Sequence, residues 1–188
     1  RIDTDSIKKK SKILYQSLEK IRTCKTSAQL LGLEGEAAAV YFSVFDELIL
    51  QQKEDFTFQG RNRRPPLDNV NAMLSFAYSL LTGMCGSALE SVGLDAYVGF
   101  FHTDRPGRIS LALDIMEELR SIMADRFVLT MINKRIIKKS HFIQKESGAV
   151  VLTDEGRKLF LSAWQERKKE LITHPFLDEK IEWGMIPY

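Results

Sequence analysis

Apolar residues recur every three to four positions along most of the chain, a spacing that predicts a mainly α-helical, multi-helix domain. Ile7, Ile13, Leu14, Leu18 and Ile21 share one side of a first helix expected from Ser6 to Thr23, with Lys8, Lys9, Lys10, Lys12 and Lys20 elsewhere. A second helix is expected from Ser27 to about Ile49, where Gly32, Gly35, Ala37, Ala38 and Ala39 make a face small enough for a close neighbour. The polar stretch from Gln51 to Pro66 ends in GRNRRPP and reads as a loop, because the paired prolines punctuate any helix. A third helix should open at Leu67 or Asp68, capped by Asp68 or Asn69, and run through Leu81; Gly83 and Gly86 are expected to break it before Ala88 to Val92. GLDAYVGFFHTDRPGR then reads as a buried connector to a fourth helix from Ile109 to about Asn133. HFIQKESGAVVLT predicts one short β-hairpin near residues 141–152, turning at Glu146-Ser147-Gly148, before a last helix from Asp154 to Ile172 with Leu159, Phe160, Ala163 and Trp164 on one face.

Composition narrows the class of protein. A chain of 188 residues that is 44% hydrophobic can build a real core, which argues against intrinsic disorder and against a disulfide-stapled scaffold. Cys24 and Cys85 have no CxxC partner, so neither structural zinc nor a disulfide is expected, and a reducing intracellular compartment is. The longest apolar stretch, Ala72 to Leu81, falls short of a membrane span and no signal-peptide core is present, so no membrane partner is expected. The formal net charge of +2 hides strong segregation: residues 1–30 carry eight basic and three acidic residues, residues 31–60 one and six, residues 109–125 one and four, and residues 126–148 six and one. Acidic segments between basic ones suit a divalent cation held beside a polyanion, although ordinary surfaces show the same pattern.

No P-loop, GxGxxG, HExxH or GxSxG pattern is present, which leaves carboxylates and one histidine as candidates for chemistry. On a wheel of the fourth helix, Leu111, Ile115, Leu119, Ile122 and Met123 form a broad apolar arc. Asp114 falls opposite with Glu118, Ser121 and Asp125, as on a solvated face. Glu117 falls between Leu113, Ala124 and Val128, where a half-buried carboxylate needs a cation, a donor or a proton to offset desolvation. His102 closes the apolar run from Tyr97 to Phe101, at the edge of the core, where a structural histidine is the alternative. Glu34 sits in GLEGEAAAVYF, facing a close neighbour, with a buried salt bridge as its alternative. One imidazole with two or three carboxylates is a hard ligand set that suits Mg²⁺ or Mn²⁺ better than structural zinc.

Taken together, GLEGEAAAVYF, RPPLDNVNAMLSFAYSLL, GLDAYVGFFHTDRPGRISLALDIMEELR and LTDEGRKLFLSAWQERKKELITHPF resemble the helical C-terminal catalytic domain of the universal first Cas protein, the CRISPR-associated endonuclease/integrase, in a type I-C-like form. The resemblance covers nearly the whole chain from about residue 27. It implies a basic N-terminal helix at 1–26, following a β-rich domain absent here, and a metal-dependent catalytic domain at 27–188. It implies that Glu34, His102 and Glu117 bind Mg²⁺ or Mn²⁺, with Asp114 as a further catalytic residue, either an added ligand or a contact behind the ligands. Asn71 and Tyr78, in the NAxLSxxY stretch, would line the same pocket, with ordinary core packing as the alternative for Tyr78.

The implied reaction is phosphodiester transesterification that inserts foreign DNA spacers into a CRISPR array, or hydrolysis when water attacks. Arg61, Arg63, Arg64, Arg105, Arg108, Lys134, Arg135, Lys138 and Lys139 are candidates for DNA phosphate contacts, with solvated surface charge as the alternative for each. The implied partners are double-stranded DNA (prespacer and CRISPR repeat), the small second Cas protein, a second copy in the full-length protein, and a spacer-trimming Cas nuclease, in a prokaryotic cytoplasm. The competing class is a non-catalytic helical module that binds DNA or protein and whose carboxylates are only structural.

Overall fold

The computed structural model describes residues 4–103, 105–173 and 178–188; Asp104 of the HTDRPGR motif and His174 to Phe176 of the last motif lie outside them. The fold is mainly helical, as the periodicity predicts, with small antiparallel hairpins at its C-terminal end. Helix α1 (Asp5–Arg22) is N-capped by Thr4, whose hydroxyl accepts from Ile7 N at 3.2 Å, and α2 (Ser27–Phe42) by Thr26, whose hydroxyl accepts from Gln29 N at 3.3 Å. Helix α2 stops short of the expected Ile49. The chain tightens into a 3₁₀ turn at Phe45–Leu48, which drives Phe45 and Ile49 fully into the core. No residue of α1 or α2 is fully buried, and a Cβ added at Gly32 or Gly35 would meet open space, so the expected close neighbour is missing at both glycines.

Helix α3 (Asn69–Ser91) is the axis of the core. Asp68 caps it by accepting from Asn71 N at 2.7 Å, and it runs unbroken through Gly83 and Gly86, contrary to the expected break. Helix α4 (Ser110–Arg120) packs against it, and a Cβ added at Gly86 would make only ordinary contact, 3.9 Å, with Ala112 Cβ and Ile109 Cδ1. By length and composition α3 could cross a membrane, but 56% of its most apolar window is buried inside the fold. Phe45, Phe56, Met73, Leu74, Leu81, Met123, Met131, Phe160 and Trp164 form the core around it.

The expected fourth helix is three pieces: α4, a π-helical turn at Ser121–Asp125, and α5 (Arg126–Asn133). The wider turn changes the phase of the wheel. The deep face of α4 is Ala112 and Met116, not the arc through Leu111, Ile115 and Leu119, and Ile122 is exposed. Asp125, placed by the wheel on a solvated face, is completely buried.

The hairpin expected near 141–152 is present, with β1 (Phe142–Gln144) paired to β2 (Val150–Leu152), Phe142 opposite Leu152. Helix α6 (Asp154–Lys168) ends before Ile172 because the chain turns into β3 (Leu171–Thr173), which pairs with β4 (Lys180–Glu182). Trp183 N then donates to Glu170 O at 2.8 Å, and its ring packs edge-on against Trp164 at 5.1 Å.

Candidate functional site

The segment from Gly93 to Arg108 is not the buried connector its apolar run suggests. Phe100 is 88% exposed, and among its described residues Ala96 alone is buried. The backbone docks instead of the side chains. Ala96 O accepts from Leu111 N at 3.0 Å, and the carboxylate of Asp114 accepts from three consecutive amides, those of Phe100 (2.5 Å), Phe101 (3.0 Å) and His102 (3.0 Å). Gly99 makes the approach sterically feasible: a Cβ there would lie 2.4 Å from His102 O and 2.5 Å from Ser110 Cβ.

Asp114 also lies 2.6 Å from His102 Nδ1. It is therefore not on a solvated face: its side chain is 8% exposed, and it fixes both the loop and the imidazole that the loop carries. Burial pushes the Asp114 pKa upward, but the bonds from His102 and the three amides outweigh it and hold the carboxyl below the ordinary aspartate value. With Nδ1 engaged by the carboxylate, Nε2 is the histidine nitrogen left for a ligand.

His102 and Glu117 line a common cavity of about 1040 Å³ between α3, α4 and the two arginine-bearing loops, with Arg61, Arg63, Arg64, Tyr78, Arg105, Arg108 and Arg120 also in its wall. Glu117 is half-buried, as the wheel predicts, and forms an ion pair with Arg120 one turn on. Its buried Oε2 is the oxygen that Arg120 Nη1 contacts, and it has no hydrogen bond beyond that ion pair. A carboxylate and an imidazole that share one cavity are hard donors of the kind a divalent cation takes. Among the described residues, however, no three His, Cys, Asp or Glu side chains converge on one point. Glu34 is exposed on α2 and outside this cavity; Ala38, one turn further along the same face, borders a second hollow that shares Arg61 and Arg63 with it.

Behind the cavity wall lies a polar cluster that the sequence did not disclose. Asp125 accepts hydrogen bonds from Tyr78 OH at 2.6 Å and Tyr41 OH at 3.0 Å. Burial raises the Asp125 pKa more than the two hydroxyls and the charges of Arg120 and Arg61 lower it. Burial, then the adjacent Asp125 charge, pushes both tyrosines well above the usual phenol range, so they remain donors. The Tyr78 ring in turn carries two guanidinium groups, Arg61 at 5.1 Å and Arg120 at 5.7 Å from its centroid. Tyr78 thus lines the cavity as expected. Asn71 does not: it is fully buried and holds Arg61 from behind, its Oδ1 accepting from Arg61 Nη1 at 2.7 Å while its amide donates to Gly60 O at 2.9 Å and Asp68 Oδ2 at 2.7 Å.

The candidate phosphate contacts separate into two groups. Arg61, Arg63, Arg64, Arg105 and Arg108 converge on the cavity. Lys134, Arg135, Lys138 and Lys139 are exposed outside its wall, beside the loop after α2, where Arg135 Nη2 donates to Gln51 Oε1 at 2.8 Å and Lys139 pairs with Asp55 at 3.0 Å. Arg120, Tyr41 and Asp125 were missed by sequence reasoning. The arginine at i+3 from Glu117 was a readable signal for the first of them.

An imidazole and a carboxylate set among arginines suit a polyanion held beside a cation, and the comparisons with known proteins point to the same class. Residues 1–166 match the family described as CRISPR associated protein Cas1. The chain is 59% identical over 159 residues to the CRISPR-associated endonuclease Cas1 2 of Rhodospirillum rubrum, covering 85% of this chain and 46% of that protein. It is 44% identical over 165 residues to an exonuclease Cas4/endonuclease Cas1 fusion of the same organism, covering 86% of this chain and 28% of the fusion. Among solved structures, a Cas1 protein from Thermotoga maritima superposes with a TM-score of 0.81 at 30% identity, over 97% of this chain and 57% of that one. A casposase bound to integration product gives 0.80 at 30% identity, over 92% and 48%. A partial Cas6-RT-Cas1–Cas2 complex gives 0.76 at 30% identity, over 86% and 48%. The chain belongs to the Cas1 family, and it spans about half the length of the curated Cas1 endonuclease it matches first.

Proposed function

We propose that this chain is the helical catalytic portion of a type I-C-like CRISPR spacer integrase, a metal-dependent DNA endonuclease and strand transferase. The observation that carries the reading is the shared cavity in which His102 and Glu117 lie among five arginines that the sequence nominated for phosphate contacts. Membership of the Cas1 family and the likeness to a casposase bound to integration product support the reaction class. The Cas1–Cas2 complex and the Cas4/Cas1 fusion among its relatives support the second Cas protein and a trimming nuclease as partners. We assign the cation site to Glu117 and His102 Nε2; Glu34, the third ligand that the resemblance implies, is held by α2 outside the cavity and would have to approach it. A Mg²⁺ or Mn²⁺ held there would supply Lewis-acid polarisation of a phosphate and would stabilise charge on the attacking or leaving oxygen.

The chain's own residues do the remaining work. Asp114 holds His102 in one orientation and one tautomer through Nδ1, which keeps Nε2 available. Arg61 and Arg120 on the Tyr78 ring, with Arg63, Arg64, Arg105 and Arg108, fix the phosphates and position the attacking DNA 3′-hydroxyl or water. The test is Mn²⁺-dependent nicking of, and strand transfer into, repeat-containing duplex DNA by wild type and Glu117→Ala. Loss of at least about 100-fold in rate is expected for removal of a metal ligand at the reacting centre. Equal activity in the two proteins overturns the assignment. DNA binding that persists in wild type with no turnover at any Mn²⁺ concentration would identify a binding module instead.

A further inference from the structure

The wall of the cavity is electrostatically unbalanced for a cation site. Six guanidinium groups, those of Arg61, Arg63, Arg64, Arg105, Arg108 and Arg120, line it with Glu117, the one carboxylate among the described lining residues; Asp114 and Asp125 lie behind the wall, bonded to His102 and Tyr78. A divalent cation entering this cavity alone meets net repulsion, and the low-dielectric walls strengthen it. DNA phosphates entering alone meet attraction, but also the Glu117 charge.

The structure shows which arginine can respond. Arg61 is anchored by donation to Asn62 O at 2.6 Å, Asn71 Oδ1 at 2.7 Å and Ser75 Oγ at 3.1 Å. Among the described residues Arg120 has no such hydrogen-bonded anchor: its contacts are the Glu117 ion pair and the face of the Tyr78 ring, with the Asp125 charge behind that ring. An aromatic face supports a guanidinium without fixing the direction of its N–H groups, so Arg120 can turn from Glu117 without losing its support.

We propose that Arg120 couples cation binding to DNA binding. In the empty cavity it neutralises Glu117. When a divalent cation takes that carboxylate, Arg120 turns to a DNA phosphate, so each ligand strengthens the other and the cation is retained only in the ternary complex. The coupling rests on the assignment of Glu117 as a cation ligand, and the experiment separates the two.

Free Mn²⁺ is counted by electron paramagnetic resonance in titrations of wild type, Arg120→Gln and Glu117→Gln, with and without a short DNA duplex, the binding of Mn²⁺ to DNA alone being subtracted. For wild type, DNA is expected to tighten Mn²⁺ binding by about 10-fold or more, within the usual range of coupling between two sites. Arg120→Gln is expected to bind Mn²⁺ several-fold more tightly than wild type in the absence of DNA, and to lose most of the DNA-dependent gain. Wild-type Mn²⁺ affinity that is the same with and without DNA overturns the coupling without recourse to any variant. Arg120→Gln behaving as wild type in both titrations, while Glu117→Gln loses Mn²⁺ binding, overturns the role of Arg120 and leaves the cation site standing. Glu117→Gln with wild-type Mn²⁺ affinity overturns the cation site itself.

Discussion

The α1–α2 hairpin and the bundle of α3, α4 and α5 are both helical and meet opposite fates. In the hairpin, Tyr15 is 71% exposed and Leu18 50%, and no side chain of either helix is completely withdrawn from water. In the bundle, Met73, Leu74, Leu81, Met123 and Ile132 are fully buried, and so is a carboxylate. A hydrophobic stripe therefore reports that a helix forms and which way it faces, but not how deeply it is buried. Depth comes from partners distant in sequence. The bundle has them in α6 and the β1–β2 hairpin; α1 has chiefly α2, whose Gly32 and Gly35 face open space. Catalytic candidates divide along the same line, with His102 and Glu117 on the bundle and Glu34 on the hairpin.

The largest effect should come from the bundle's aromatic stack. Trp164→Ala removes a ring that meets Phe127 at 5.0 Å and Trp183 at 5.1 Å, and is expected to cost about 3–5 kcal/mol in urea unfolding. A cost under 1 kcal/mol would mean that this end of the bundle packs no better than the hairpin. Next, Gly99→Ala forces a Cβ against His102 O and Ser110, and a loss of about 1–3 kcal/mol is expected together with impaired Mn²⁺-dependent cleavage, because the loop that moves carries His102. Stability lost with cleavage fully retained would detach the loop from the site.

Asp114→Asn gives a smaller, pH-dependent effect of about 1–2 kcal/mol at neutral pH, from hydrogen bonds to a charged acceptor. The folded-state pKa of Asp114 is depressed, so its stabilisation is present above the unfolded value near 3.8 and disappears as pH falls through the folded value. The gap between wild type and variant should close on acidification, and a gap independent of pH would refute the clamp. Smallest of all, Leu18→Ser on the hairpin should change stability by no more than about 0.5 kcal/mol. A change above 2 kcal/mol would show that α1 is buried after all and erase the contrast between the two regions.

Much of the fold was legible, and for local reasons. Asp68 caps the helix it was expected to open, alternation and a turn mark the β1–β2 hairpin, and the half-buried character of Glu117 followed from its wheel position. The loop arginines were readable as a group because three of them crowd before Pro65. Asp114 and Asp125 were misread for two different reasons. Asp114 meets its donors only because the connector folds back over α4, a placement that no periodicity encodes. Asp125 changes face because the π-helical turn breaks the 3.6-residue period on which the wheel depends, and its donor Tyr78 is 47 positions away.

The sequence by itself determined that these helices form, where most of them begin, and the residue types able to hold a cation beside a polyanion, because capping, periodicity and side-chain chemistry are local properties. Only the tertiary structure decided that Asp114 serves His102 and that Asp125 lies buried beneath two tyrosines. It alone decided, too, that the Glu117–Arg120 pair opens onto a cavity lined by five further arginines. Each of these depends on desolvation and on partners brought from far along the chain, and a buried charge acquires its meaning only from what surrounds it.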